Sequence, residues 1–257
     1  MTTPDYLRPK SLPEALRCLQ TGTPLAGGTS LAPEASRHSL LVDLQDLGLN
    51  RLLFEADRCR LGATLTLQSL VDADEHLPRA LREAGLREAG CNLRNRATIG
   101  GTLVACTGRS PLATALLSLH AQVHQEPGPE QVGVEEVLAR GGGAPRGRLI
   151  IEVAFRLPER MAYAQVARSP ADRPIVCAVV TKWGGRAPSF GVALGGFGAS
   201  PVMLVEVEQA LAKGDAAAAA DEAARAYAQA QDSWASGEYR AHLAAVLVRR
   251  LAAEVSR

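Results

Sequence analysis

The chain of 257 residues is short of aromatic side chains, which make up 4% of it, and its five cysteines never form a C-x-x-C pair. Few rings are therefore on hand to stack against a flat heterocycle. Cysteines at 18, 59, 91, 106 and 177 are too scattered for zinc or iron–sulfur ligation. An odd, dispersed set fits reduced thiols in a cytoplasmic protein. A net charge of +1 supplies no field for nucleic acid or an anionic membrane. No apolar run approaches the roughly 18 residues of a membrane span. The start, Met1-Thr2-Thr3-Pro4-Asp5-Tyr6, lacks the basic segment and apolar centre of a secretory signal. Of the five histidines only His120 and His124 have helical i,i+4 spacing, and no third ligand accompanies them. No Ser/His/Asp set, paired catalytic carboxylates or activated cysteine is evident. That pattern suits a protein whose chemistry is carried by a cofactor.

What is present is enough for a core. Hydrophobic residues are 47% and charged residues 21% of the chain, which suits one large domain or two modest ones. Residues 11–20 read as a short helix, with Ser11 as cap, Pro13 in its first turn and Glu14 at the capping-box position. Thr23 to Ala26, Leu40 to Leu44 and Arg58 to Thr66 read as strands, the last by alternation. Helices are expected from Leu67 to Ala73 behind a Thr66 cap, over Leu77 to Glu88, and from Ser110 to Leu119. A turn at Gln125 to Glu130 joins two strands, Gly141 to Gly147 reads as a flexible loop, and Leu149 to Phe155 as a strand. Composition changes near Arg160. Beyond it Met161 to Ala167, Ile175 to Lys182 and Pro188 to Leu194 read as three antiparallel strands. Helices follow at Pro201 to Leu211, Ala216 to Gln231 and Tyr239 to Val255.

Two glycine pairs stand out, each beside hydroxyl residues: Ala26-Gly27-Gly28-Thr29-Ser30-Leu31 and Thr98-Ile99-Gly100-Gly101-Thr102-Leu103. Glycine pairs allow sharp turns whose bare N–H groups form concave anion nests. Two such loops can grip the two phosphates of a dinucleotide. Neither is G-x-G-x-x-G nor a P-loop. A Gly-Gly pair between apolar runs is more often only a tight turn. Thr64 and Thr66 read as strand surface, and the Arg94/Arg96 pair serves equally well as a solvated loop or a ligand contact.

With its surroundings, this pattern resembles the FAD-binding medium subunit of molybdenum hydroxylases, the xanthine dehydrogenase and aerobic carbon monoxide dehydrogenase group. The matching segments are Pro24 to Leu31, similar to A-G-G-[TH]-[SD]-L; Leu41-Val42-Asp43-Leu44; and Arg94-Asn95-Arg96-Ala97-Thr98-Ile99-Gly100-Gly101, similar to R-N-x-x-T-I-G-G-N. Tyr163, Arg168 and Asp172, then Gly195-Gly196, Pro201 and Glu208, then Tyr239-Arg240 and Leu247-Val248-Arg249-Arg250 extend the resemblance over nearly the whole chain.

The resemblance implies an α+β protein. A two-part α/β FAD-binding domain of the PCMH/VAO-like type, residues 1–159 with a split near 55, precedes a smaller C-terminal α+β domain, 160–257, of three antiparallel strands plus helices. It implies FAD held by Ala26, Gly27, Gly28, Thr29, Ser30, Leu31, Thr98, Ile99, Gly100, Gly101 and Thr102, with Thr107 close to the cofactor and Asp172 on a second-domain turn facing the flavin. It also implies a partner iron–sulfur subunit and a partner molybdopterin subunit, as a dimer of heterotrimers, with electrons leaving to an external acceptor. The sequence departs from the family pattern at Thr102 (asparagine in relatives), Pro111 (aspartate) and Gln165 (lysine). A scaffold subunit that has lost FAD is therefore the alternative, and a related oxidase acting alone is a third reading.

Overall fold

A computed structural model describes residues 4–73, 75–128, 130–140 and 147–257. All but the last residue of the expected loop Gly141 to Gly147 lies outside the described residues. The chain begins with three parallel strands, β1 (Asp5–Leu7), β2 (Thr23–Leu25) and β3 (Leu40–Asp43), in the order β1-β3-β2. Parallel strands need a crossover, and α1 (Leu12–Cys18) supplies it. Pro13 sits in its first turn as expected, but Ser11 makes no side-chain cap. Glu14 instead accepts from the Lys10 amide at 3.0 Å, one residue earlier than a capping box requires. Leu19, Val42, Leu44 and Leu149 form a small core beneath this unit.

The chain then enters a five-stranded antiparallel sheet, β4 (Leu52–Glu55), β5 (Arg58–Gly62), β6 (Gln122–Glu126), β7 (Glu130–Gly133) and β8 (Leu149–Arg156), ordered β4-β5-β8-β6-β7. β4, at Leu52–Glu55, is the first strand of this sheet. β5 ends at Gly62, short of Thr66, and the Thr64 amide turns away to the Leu49 carbonyl at 2.9 Å.

Six helices belong to this part of the described chain: α2 (Leu67–Val71), α3 (Arg79–Glu88), α4 (Cys91–Arg94), α5 (Ile99–Ala105), α6 (Pro111–Ser118) and α7 (Val134–Ala139); α5 and α7 lie against the five-stranded sheet, whereas α3 and α6 meet strands after residue 159. Thr66 and Ser110 cap α2 and α6, accepting from the Ser69 and Ala113 amides at 3.1 Å each. Every residue of α6 is buried, because the helix is wedged between the two halves of the molecule. That is why it is apolar all round rather than along one stripe.

The C-terminal sheet places β9 (Arg160–Val166), β10 (Val176–Trp183) and β11 (Ser189–Gly195) antiparallel, as expected, and adds a short fourth strand, β12 (Val202–Met203). Val202 and Met203 pair with Leu194 and Ala193, so the helix expected from Pro201 begins later, as α8 (Val205–Ala212). α9 (Ala216–Tyr227) stops short of Gln231, and α10 (Gly237–Ser256) closes the fold. Side chains alternate along β10. Cys177 and Val179 join the core that contains Leu112 and Leu116 of α6, whereas Val176, Ala178 and Val180 join Leu247 and Leu251 of α10. Both faces are buried, and the strand reads as a continuous apolar run for that reason. No helix among the described residues is long and apolar enough to cross a membrane.

Candidate cofactor cleft

The first glycine pair follows the carboxyl end of β2, where open parallel sheets leave a crevice for ligands. Its two glycines are required for different reasons. Gly28 has φ +75°, a left-handed conformation that side chains disfavour. Gly27 lies against the Arg96 backbone, where a Cβ would come within 1.8 Å of the Arg96 carbonyl oxygen. The Ala32 amide bonds the Gly28 carbonyl at 2.8 Å and closes the turn. The amides from Gly27 to Leu31 find no acceptor among the described residues. Such a run of unpaired amides in a curved loop can serve as an anion nest.

The second glycine pair is different: it is the first turn of α5 rather than an open loop. The Ile99 amide bonds Leu65 O at 3.0 Å, Gly100 bonds Ala63 O at 2.9 Å, and Thr102 bonds Thr98 O at 2.8 Å. Thr98 caps the helix, its Oγ1 accepting from the Gly101 amide at 3.2 Å. The first amides of a helix normally lack partners; here the segment after β5 satisfies them. Gly100 eases that contact, since a Cβ would crowd the Ala63 side chain at 3.0 Å. The expected row of free amides at 98–102 is therefore replaced by a close-packed wall.

Between these elements lies a cleft of about 540 Å³, within the range of small-molecule sites. Ala26, Gly27, Gly28, Thr29, Ser30 and Leu31 line it, and so do Thr98, Gly100, Gly101, Thr102 and Thr107. Ile99 is fully buried and points into the core instead. Asp172 is not among the lining residues. Its amide bonds Ser169 O at 3.1 Å within a turn, and the next residue, Arg173, stands at the cleft. Of the family departures only Thr102 lines the cleft; Pro111 is buried in the first turn of α6, and Gln165 accepts from the Tyr163 hydroxyl at 2.5 Å.

The lining also includes polar residues that no local motif marks, among them Thr64, Glu88 and Arg173. Thr64 is not strand surface: it is 7% exposed and lines the cleft, and its Oγ1 has no hydrogen-bond partner among the described residues. An unsatisfied buried hydroxyl costs stability unless a ligand completes it. Glu88 is buried, and Oε2 accepts from Ser110 Oγ at 2.8 Å and from the Leu112 amide at 2.9 Å. Its Oε1 pairs with the Arg173 guanidinium. Hydroxyl and carboxylate signals of this kind depend on contacts between distant segments and leave no local motif.

Arg94 is structural: it donates to Gln68 Oε1 at 3.0 Å and to Ala89 O at 2.7 Å, tying α2, α3 and α4 together. Arg168 stacks over the Trp234 ring at 4.7 Å rather than pairing with Asp172. Cys106, at the cleft, is pushed up to about 11 by burial, with the charge of Glu88 adding to the effect. Burial likewise pushes Cys59 and Cys177 up to about 12. These thiols stay protonated at neutral pH, and a thiol is a poor nucleophile.

An anion nest, an orphan hydroxyl and apolar walls from Leu44, Leu93, Leu149 and Ile150 suit a phosphate-bearing organic cofactor rather than a self-contained catalytic apparatus. Comparison with known proteins agrees. The family described as FAD binding domain in molybdopterin dehydrogenase matches residues 2–158. The family described as CO dehydrogenase flavoprotein C-terminal domain matches residues 161–255. The carbon monoxide dehydrogenase medium chain of Afipia carboxidovorans is 31% identical over 96% of this chain and 94% of its own. The uncharacterized protein YgfM of Escherichia coli (strain K12) is 31% identical over 97% of this chain and 95% of its own. The solved structure of reconstituted CO dehydrogenase from Oligotropha carboxidovorans superposes with a TM-score of 0.86 at 25% identity, covering 99% of this chain and 98% of the other.

Proposed function

The chain belongs to the FAD-binding family of the molybdopterin dehydrogenases, and from that premise we propose that it is the electron-transfer subunit of a multi-subunit molybdenum hydroxylase. FAD is its cofactor and oxidoreduction its class of activity. When bound, FAD supplies the redox chemistry; the chain's residues bind it, orient it and shield it.

The amides from Gly27 to Leu31 hold the pyrophosphate in this reading, with the Ala26 backbone leading into the nest and the Thr29 and Ser30 hydroxyls adding donors. Thr98, Gly100, Gly101 and Thr102 form the opposing wall, with Ile99 anchoring it from the core. Thr64 completes its hydrogen bonding on the cofactor, Thr107 lies at the rim, and Asp172 shapes the turn above. Residues 1–159 form the cofactor domain and 160–257 the domain that closes over it.

Electrons reach this subunit from an iron–sulfur partner, which receives them from a molybdopterin partner, in a dimer of heterotrimers. They leave to NAD, a quinone, oxygen or another acceptor. Relatives in support are the carbon monoxide dehydrogenase medium chain and a 6-hydroxypseudooxynicotine dehydrogenase complex subunit of Paenarthrobacter nicotinovorans. The observation that carries the reading is the run of unpaired amides from Gly27 to Leu31 along a cleft of about 540 Å³.

The test is to tag the chain in its native host, purify what assembles with it, and measure iron, molybdenum and FAD per copy. Co-purification of an iron–sulfur and a molybdenum chain with FAD near one per copy is expected. A chain that purifies without either partner contradicts the reading. The scaffold alternative predicts the same partners with no FAD.

A further inference from the structure

The C-terminal domain contributes one lining residue to the cleft among the described residues, Arg173; all the others fall between Pro24 and Ile150. Its guanidinium is held in place. Glu88, 4% exposed, takes it on Oε1, while Oε2 of the same carboxylate is occupied by Ser110 Oγ and the Leu112 amide at the start of α6. A buried carboxylate left unpaired is costly, so Glu88 anchors the arginine firmly. The turn carrying Arg173 is pinned independently: Arg87 donates to the Pro170 carbonyl at 3.3 Å, and the Asp172 amide to Ser169 at 3.1 Å. A guanidinium has five N–H donors in a planar fork. Glu88 uses one Nη of Arg173, and the others have no partner among the described residues. The side chain is 47% exposed, at the cleft.

We infer that Arg173 is the residue of the C-terminal domain that positions the isoalloxazine end of FAD, and that Glu88 holds it in register. The inference rests on the FAD reading above. The pyrophosphate is already served by the amides of the first glycine loop. What remains of FAD is adenosine at one end and isoalloxazine at the other. The pyrimidine edge of isoalloxazine carries two carbonyl oxygens in one plane, acceptors that a planar fork matches. It is also the edge that gains negative charge on reduction, which a fixed cation favours. Adenine presents an amine donor beside its ring nitrogens and gains no such charge.

The test compares wild type with Arg173→Met and, because that change strands Glu88, with the double variant Glu88→Gln/Arg173→Met. Each full-length apo chain is titrated with FAD and with ADP, which shares the adenosine and pyrophosphate but lacks the flavin. The midpoint potential of bound FAD is then measured against a dye. Both variants are expected to bind FAD about tenfold more weakly, the loss of a charge-assisted hydrogen bond, to bind ADP as wild type does, and to shift the flavin potential downward. Equal weakening of FAD and ADP would assign Arg173 to the other half of the cofactor and overturns the inference. So does an unchanged FAD affinity and potential in both variants. Failure of the wild-type chain to bind FAD overturns this inference together with the FAD reading, whereas wild-type binding with unaffected variants sinks the inference alone.

Discussion

Gly27 and Arg96 lie far apart in the chain yet meet backbone to backbone: a Cβ on Gly27 would stand 1.8 Å from the Arg96 carbonyl oxygen. This contact presses the loop after β2 onto the segment that leads into α5, and it sets the width of the cleft between them. The phosphate nest and its opposing wall are thus one unit, formed by two distant pieces of sequence.

Gly27→Ala is expected to force the two segments apart at a cost of about 1–3 kcal/mol and to lower FAD affinity at least about tenfold. Gly48 is the control. Unlike Gly27 it has positive φ, +68°, and nothing lies within 4 Å of its would-be Cβ. Gly48→Ala should cost about 1–2 kcal/mol of folding stability and leave FAD binding alone. Urea unfolding and FAD titration of both variants check this. Equal effects on FAD would mean that the contact with Arg96 has no special bearing on the cleft.

Thr64→Val should have opposite effects on the free and loaded chain. Its Oγ1 is buried without a partner, so removing the hydroxyl relieves a penalty of about 1 kcal/mol in the apo chain. The same change deletes a donor to FAD and weakens binding by up to about tenfold. Melting temperatures with and without FAD should therefore move in opposite directions. A variant destabilised in the apo form, with normal FAD affinity, would show a purely structural threonine.

His120 links the end of α6 to α8, its Nε2 lying 3.4 Å from Glu208 Oε1. The hydrogen bond to Glu208 is the largest cause of a raised imidazole pKa, against burial, which lowers it. A raised folded-state pKa gives stability that is complete below the unfolded value near 6.5. That stability is lost as pH rises through the folded value. His120 has φ +48°, a conformation asparagine tolerates, so His120→Asn keeps the turn and removes the titration. Wild type should lose melting temperature relative to this variant as pH rises above about 6.5. Parallel pH profiles would show that the pair contributes nothing.

Asp232 ties the two domains. It accepts from Arg109 at 2.7 Å and from the fully buried Arg240 at 2.8 Å. Desolvation pushes its carboxyl upward, but the bonds from Arg240, the Trp234 amide and Arg109 outweigh that and hold it well below the usual carboxylate range. A depressed pKa gives stability present above about pH 4 and lost only in strong acid. Asp232→Asn leaves the Arg240 charge buried without its counterion, at about 3 kcal/mol. Three carbonyls, of Ile175, Ala230 and Ala235, still bond Arg240, so the fold should survive. Urea unfolding at pH 7 measures the cost, and a loss under about 1 kcal/mol would contradict this account.

Much of the fold could be read locally. β9, β10 and β11 show alternating or continuous apolar runs between turn residues, and Thr66 and Ser110 announce the helices they cap. Elements set by tertiary contact could not be read that way. β1 and β4 are short strands that exist through pairing, and β12 takes two residues from what looks like a helix start. The Gly100-Gly101 pair reads as a sharp turn, yet it opens α5, where Gly100 packs closely on Ala63. The sharp turn at the first glycine loop was legible because its geometry is local, with Gly28 at φ +75°. Thr64, Glu88 and Arg173 were not, since their roles arise from chain segments brought together only in the fold.

FAD is the cofactor on which every assignment in the cleft depends. The most direct measurement is the visible spectrum of the purified chain, followed by release and identification of any bound cofactor. A flavin spectrum with FAD near one per chain is the predicted result. A protein that stays colourless alone, with its partner subunits and with excess FAD would contradict it, and the cleft would then belong to a scaffold that keeps only the shape of a flavoprotein.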